Sequence, residues 1–185
     1  MKLIEIYDWA EERGLNDQTP DRNGFCAFIA EEVGEEVAAI RNNNIHEKVD
    51  AACDIVVFSI GDMFKRGFKV IDVFGDQDVN AILYSSPYEP INKDYVYEMN
   101  YLIHNFLEAK TPEEEFESMK GMFLLSGKEV ETLGYDFSKC MDEVMKEINS
   151  RVGSYSEEHK KWLKDKSPEA QANWYKADFS KCKRD

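Results

Sequence analysis

The chain has 185 residues, with 23 Lys and Arg against 37 Asp and Glu, for a formal net charge of -14. That length supports one domain with a sizeable core. The charge excludes a general nucleic-acid binder, which needs clustered cations to meet a phosphate backbone; it suits a protein kept soluble by an acidic surface, or one that gathers divalent cations.

Prolines stand only at 20, 87, 90, 112 and 168, so the long periodic segments between them are free to be helical. Periodicity predicts a short helix over 3–13, then a second over 21–41 after the capping turn "NDQTP". "RNNN" at 41–44 ends it, and a third helix runs over 45–66 to Gly67. A short segment at 70–83 and a connector, "SSPYEPIN", precede helices at 93–109, 112–133 and 137–150. "TPEEE" at 111–115 combines a Thr cap, Pro at the first helical position and acids in the first turn. No alternating β-branched run stands out as a strand. The expectation is an all-α single domain over 1–185: an acidic hairpin at 21–70, a second helical layer at 93–150 and a tail at 151–185.

An offset of 67 residues lays 35–70 over 102–137 and pairs two Gly-aromatic helix ends, so a degenerate repeat of helical hairpins is one reading. The acids do not carry across: Glu32 falls on Met99, Glu35 on Leu102 and Asp54 on Gly121.

"AEEVGEEVAAI" at 30–40 puts four glutamates into a helix otherwise built to pack. Helical spacing groups Glu32, Glu35 and Glu36 beside an apolar stripe of Ile29, Val33, Val37 and Ile40. On the next helix Glu47, Asp50 and Asp54 flank the stripe Ile45, Val49, Ala52, Val56, Ile60 and Met63. Asp54 sits in "AACDIVVFSI" with no Lys or Arg one turn away, so a partner from outside the helix is needed to neutralise it. A short connection makes the two helices antiparallel and sets Glu32 and Glu35 opposite Asp50 and Asp54. Facing carboxylates repel unless cations lie between them, and hard oxygen donors select Mg²⁺ or Mn²⁺. Glu31 and Glu36 are left for solvent. A di-iron bundle would need Glu-x-x-His, but Asn43, Tyr101 and Ser156 precede His46, His104 and His159 at that spacing.

Cys26, Cys53, Cys140 and Cys182 form no CxxC and read as reduced thiols. The acidic N-terminus is no leader peptide, and no apolar run is long enough to span a bilayer. A soluble, cytoplasmic protein without membrane or nucleic-acid partners is expected.

"EEVGEEVAAI" followed by "EKVDAACDIVVFSIGDMFKRGF" resembles the MazG-like all-α nucleoside triphosphate pyrophosphohydrolases, which include phosphoribosyl-ATP pyrophosphohydrolases and dimeric dUTPases. The family's ExxE and ExxD signatures match Glu32 with Glu35 and Glu47 with Asp50, and a further Asp of phage-type members matches Asp54. A second register sets Asp54 on the signature Asp and puts Ala51 where Glu belongs, so the resemblance leaves open which of Glu47, Asp50 and Asp54 bind metal directly. "GYDFSKCMDEVMKEINSRVG" and "NWYKADFSKCK" resemble the phage-type close, with Arg151 for Lys and Ala177 for Pro. A phage or bacterial source follows from the resemblance, and a host-cell cytoplasmic location if the source is viral.

The resemblance implies hydrolysis of a (deoxy)nucleoside triphosphate at the α-phosphorus, giving a monophosphate and pyrophosphate in nucleotide-pool control. It implies two or three Mg²⁺ (or Mn²⁺) ions on Glu32, Glu35, Asp50 and Asp54, with Glu32, Glu35 and Glu47 as the carboxylates from which a water-activating base is drawn. The phosphate chain needs cations or donors, and Asn149, Arg151, Lys160, Lys161 and Lys176 are the candidates. Phe25, Phe28, Trp174 and Tyr175 are candidates to stack on the base, and a homodimer or homotetramer is expected. The alternative is a catalytically silent helical protein that binds a nucleotide or metal for regulation, the reading that Ala51 favours.

Overall fold

A computed structural model describes residues 1–90, 94–156, 158 and 161–184, with Lys161 described by its backbone only. Among these residues the fold is all-α apart from one two-stranded hairpin. The helices are α1 (Leu3–Glu11), α2 (Arg22–Asn42), α3 (Ile45–Lys65), α4 (Val70–Phe74), α5 (Val79–Ser85), α6 (Tyr95–Glu108), α7 (Pro112–Thr132), α8 (Phe137–Ser150) and α9 (Pro168–Gln171). Strands β1 (Gly153–Ser156) and β2 (Lys161–Lys164) precede α9, and a 3-10 turn, Phe179–Cys182, ends the chain. No helix among the described residues is long and apolar enough to cross a membrane.

The caps explain the helix limits. Asp21 accepts from the amide of Asn23 and starts α2. Asn43 closes α2 in the left-handed region (φ 53°), and Asn44 caps α3 one residue later. This two-residue link forces α2 and α3 into an antiparallel hairpin. Thr111 and Glu114 close a capping box on α7, with Pro112 just inside.

Helix α3 is the centre of the molecule. It packs on α2 and α7, with α1 and α8 against its remaining sides. Ile55, Val56, Ile60 and Met63 are fully buried there. The α6–α7 hairpin lies against α2–α3 and supplies the second helical layer that the acidic hairpin needs.

The 67-residue offset recurs in the helix bounds. It superposes the bounds of α3 on those of α7, and Gly67 (φ 77°) on Gly134 (φ 89°), each a left-handed helix stop before an aromatic residue. At the positions matching Glu32 and Glu35, α6 carries buried Met99 and Leu102. A Cβ on Gly121, which matches Asp54, would meet Leu102 Cδ2 at 2.7 Å. Where the first hairpin sets carboxylate towards carboxylate, the second sets leucine on glycine. The second hairpin is core, and the first keeps the acids.

Three expectations need correction. The segment at 70–83 is two short helices, divided where Asp78 caps α5. Ile40 and Ile45, assigned to the core stripes, are 52% and 41% exposed at the tip of the hairpin. The tail contains an antiparallel hairpin pairing Tyr155 with Trp162, made of four-residue strands too short to leave a periodic signal.

Candidate active site

The glutamates of α2 divide between two faces. Glu32 is 8% exposed, and its Oε2 has no hydrogen-bond partner. Burial is the main cause that raises its pKa to about 8, followed by the charges of Asp54, Glu35, Glu31 and Asp50. Asp54 is raised to about 7 by burial, then by Asp50, and Arg151 opposes the shift. Asp50 is raised to about 6 by burial and by Glu147, against Lys176 and Arg151. Glu35, exposed, adds its charge to all three. Across the α2–α3 hairpin the charges of Glu35, Asp50 and Asp54 thus act on one another and on Glu32.

Glu36 does not belong with them. It was assigned to solvent, but it is 1% exposed and points to the opposite side. Its Oε1 lies 3.4 Å from Lys48 Nζ, which also holds Glu129 of α7 at 3.2 Å. Burial outweighs Lys48 and lifts the Glu36 pKa to about 7. This is an internal ion cluster joining α2, α3 and α7. Glu31 is exposed, in keeping with its assignment to solvent.

One cavity reaches Asp54 and another reaches Asp50, while Glu32 and Glu35 line neither. The larger, about 510 Å³, is lined by Asp54 together with Arg151, Lys164, Phe28, Trp9 and Trp162, among others. The smaller, about 210 Å³, is lined by Glu47, Asp50, His46, Glu147 and Lys176 among others. Arg151 ion-pairs with Glu147 one turn back on α8. The other oxygen of Glu147 accepts the backbone amide of Ala177 at 2.7 Å. Lys164 on β2, though exposed, has its pKa lowered, first by partial desolvation of its ammonium and then by the neighbouring Arg151. The cations that Asp54 lacks within its own helix thus come from the end of α8 and from β2.

The remaining expected residues scatter. Glu47 is exposed and belongs to the smaller cavity. Asn149 is exposed and lines neither cavity. Lys160 lies outside the described residues, as does the side chain of Lys161. Phe25 is 5% exposed and packs its ring 4.8 Å from Phe106, so it serves the core even where it borders the larger cavity. Tyr175 donates its hydroxyl to Glu143, and its amide donates to Ser150 Oγ at 2.8 Å. Its ring is fastened to α8, not offered to a base. Trp174 is half-buried and lines neither cavity. Phe28, by contrast, is 50% exposed and stacks on Phe58 at 5.1 Å with 8° between the planes.

Sequence reading missed Glu147, Trp162 and Lys164. The i, i+4 spacing of Glu147 and Arg151 was a usable signal for the first. Trp162 and Lys164 reach the cavity only because the tail folds as a β-hairpin.

Among the described residues, no three His, Cys, Asp or Glu side chains already stand close enough to hold a metal ion together. The chemistry of the donors nevertheless fits a hard divalent cation. They are carboxylate oxygens from both helices of one hairpin, and one of them, Glu32 Oε2, is buried without a partner. Comparison with known proteins found no matching family model, no matching curated protein and no matching solved structure.

Proposed function

We propose that the protein hydrolyses a nucleoside or deoxynucleoside triphosphate at the α-phosphorus, releasing pyrophosphate, with Mg²⁺ or Mn²⁺ as cofactor. One observation carries this reading. Buried carboxylates with raised pKa values open, through Asp54, into an aromatic-walled cavity that also presents Arg151 and Lys164. Strongly perturbed acids in a cleft are candidates for a reacting centre. The likeness of the hairpin to the MazG-like enzymes points the same way.

Glu32, Glu35, Asp50 and Asp54 would hold the metal ions. When bound, these ions would offset phosphate charge and make water a nucleophile at neutral pH. Arg151 and Lys164 are suited to the phosphate chain, and Lys176 offers a cation beside Asp50. Arg151 is kept in place by Glu147, so its guanidinium is oriented before substrate arrives. The aromatic side of the cavity excludes water and takes the apolar part of the nucleotide. A homodimer or dimer of dimers remains part of the proposal, on the family likeness alone.

Incubation of the pure protein with each NTP and dNTP in Mg²⁺ tests the reading, with pyrophosphate and orthophosphate assayed separately. Pyrophosphate from at least one nucleotide is expected. Orthophosphate alone contradicts attack at the α-phosphorus, and no turnover of any nucleotide favours the silent binding protein.

A further inference from the structure

Gly61 lies one turn before the end of α3 and borders the larger cavity. A glycine inside a helix weakens it relative to alanine, so its presence needs a local cause. Backbone conformation gives none, because Gly61 is helical and has no positive φ. Packing gives none either. A Cβ built on Gly61 meets no atom within 4 Å outside the adjoining helix backbone and its two chain neighbours. On Gly121 and Gly127 of α7 it would come 2.7 Å from Leu102 Cδ2 and 2.9 Å from Phe137 Cε1. Among the described helical glycines, Gly61 alone combines open space at Cβ with a place on a cavity wall. Gly24 is closed by Asp21, and Gly34 borders neither cavity.

The position has a definite place in the site. Asp54, Phe58, Gly61 and Lys65 recur at i, i+4, i+7 and i+11 and all line the cavity, so they form one stripe along α3. Gly61 is about 10 Å along the helix axis from Asp54. A molecule held by its phosphates at Asp54, Arg151 and Lys164 can therefore meet Gly61 only with another part. One turn before Gly61 stands the ring of Phe58, stacked on half-exposed Phe28. One turn after it stands Lys65, whose Nζ is 3.9 Å from Asp62 Oδ1. Between them the backbone is bare, and glycine permits a ligand to approach it closely. A ledge of bare backbone beside an aromatic ring fits a planar ring system better than a charged group.

We propose that Gly61 is a specificity-determining residue: the ring system of the nucleoside packs against the bare α3 backbone there, and the missing side chain sets the size of ring that the cavity admits. This rests on the nucleotide reading above, since Asp54, Arg151 and Lys164 border the same cavity.

The test compares the full chain with its Gly61→Ala and Gly61→Leu variants by thermal melt and by calorimetric titration. The probes are the four common deoxynucleosides, without phosphate or metal ion, and inorganic tripolyphosphate with Mg²⁺. Gly61→Ala should melt higher than the wild type, because the space is open and alanine is the better helix former. Gly61→Leu should weaken nucleoside binding about tenfold or more, the effect of added bulk in a fitted pocket, with purines losing more than pyrimidines. Gly61→Ala should lie between Gly61→Leu and the wild type, so it keeps the test valid if Gly61→Leu fails to fold. Tripolyphosphate should bind all three proteins alike. A lower melt for Gly61→Ala would show that packing requires the glycine, and would overturn the proposal. Nucleoside binding indifferent to both variants, equal losses of nucleoside and tripolyphosphate, or no binding of any nucleoside would overturn it too. If pyrophosphate is released from nucleotides while the variants change nothing, the seat at Gly61 is wrong and the hydrolase reading stands. If nucleoside binding depends on Gly61 without turnover, the outcome is the reverse.

Discussion

Arg151 and Asp54 line one cavity from different helices, and Arg151 is the cation that most opposes the upward shift of the Asp54 pKa. The shift to about 7 survives because burial and Asp50 outweigh it. The protein thus supplies only part of the charge that would neutralise an ionised Asp54; on the proposed function, the metal ions supply the rest.

Asp54→Asn should cut turnover by at least about 100-fold, a loss of roughly 3 kcal/mol of transition-state stabilisation. It should leave the fold intact or more stable at alkaline pH, because it removes a charge that is costly to bury. Steady-state kinetics and a thermal melt check both. Near-wild-type kcat/KM would move the chemistry away from the α2–α3 hairpin.

Stability should depend on pH in a defined direction. Burial raises Glu32, Asp54 and Asp50 to about 8, 7 and 6 in the folded chain, and Glu36 on the opposite face to about 7, against about 4 for exposed carboxylates in the unfolded chain. Between those values the native state binds more protons than the unfolded state, so stability falls as pH rises. Without divalent ions, Tm should drop by on the order of 5 °C between about pH 6 and pH 8.5. Mg²⁺ or Mn²⁺ should recover the part of the loss that Glu32, Asp50 and Asp54 contribute, since a ligand of the native state stabilises it. A melt flat across this range, and indifferent to both ions, would count against a metal-holding cluster.

Lys48→Met addresses the opposite face. It strips Glu36 and Glu129 of their shared cation and should destabilise the fold by about 2–4 kcal/mol. The folded fraction should keep its kcat, because this cluster does not face the cavities. Denaturant unfolding and active-site-normalised rates separate the two effects. A drop in kcat at unchanged stability would mean that Glu36 works with Glu32 after all.

Most of the fold was legible because its signals are local. The "RNNN" stop, the Thr111 cap, the proline at 112 and most of the apolar stripes are all written within a few residues of where they act. The antiparallel α2–α3 hairpin, through which the charges of Glu35, Asp50 and Asp54 reach Glu32, was legible for the same reason, since a two-residue link leaves it only one arrangement. The fate of Glu36 was not, because its partners Lys48 and Glu129 lie on other helices and helical spacing alone puts it beside Glu32. Tyr175 and Trp174 looked like base contacts by residue type, but Tyr175 is drawn onto α8 by Glu143. Trp162 and Lys164 carried no signal, because strands of four residues show no period and their position depends on tertiary contact.

Arg151→Ala should weaken triphosphate binding by about tenfold and monophosphate binding much less, if its guanidinium meets the phosphates beyond the first. Glu147 would lose its partner at the same time, so a Glu147→Gln control belongs in the same calorimetric titration. Equal losses for both nucleotides would assign Arg151 to the fold.

Light scattering at micromolar concentration tests assembly, with the dimer as the expected result. A mass near 21.5 kDa at full activity would establish the monomer as the working unit.

The central claim is attack by water on the α-phosphorus at the acidic hairpin. Turnover in heavy-oxygen water, followed by mass spectrometry of both products, tests it most directly. The label should appear in the nucleoside monophosphate and not in the pyrophosphate. Label in the pyrophosphate, or release of labelled orthophosphate, would contradict it.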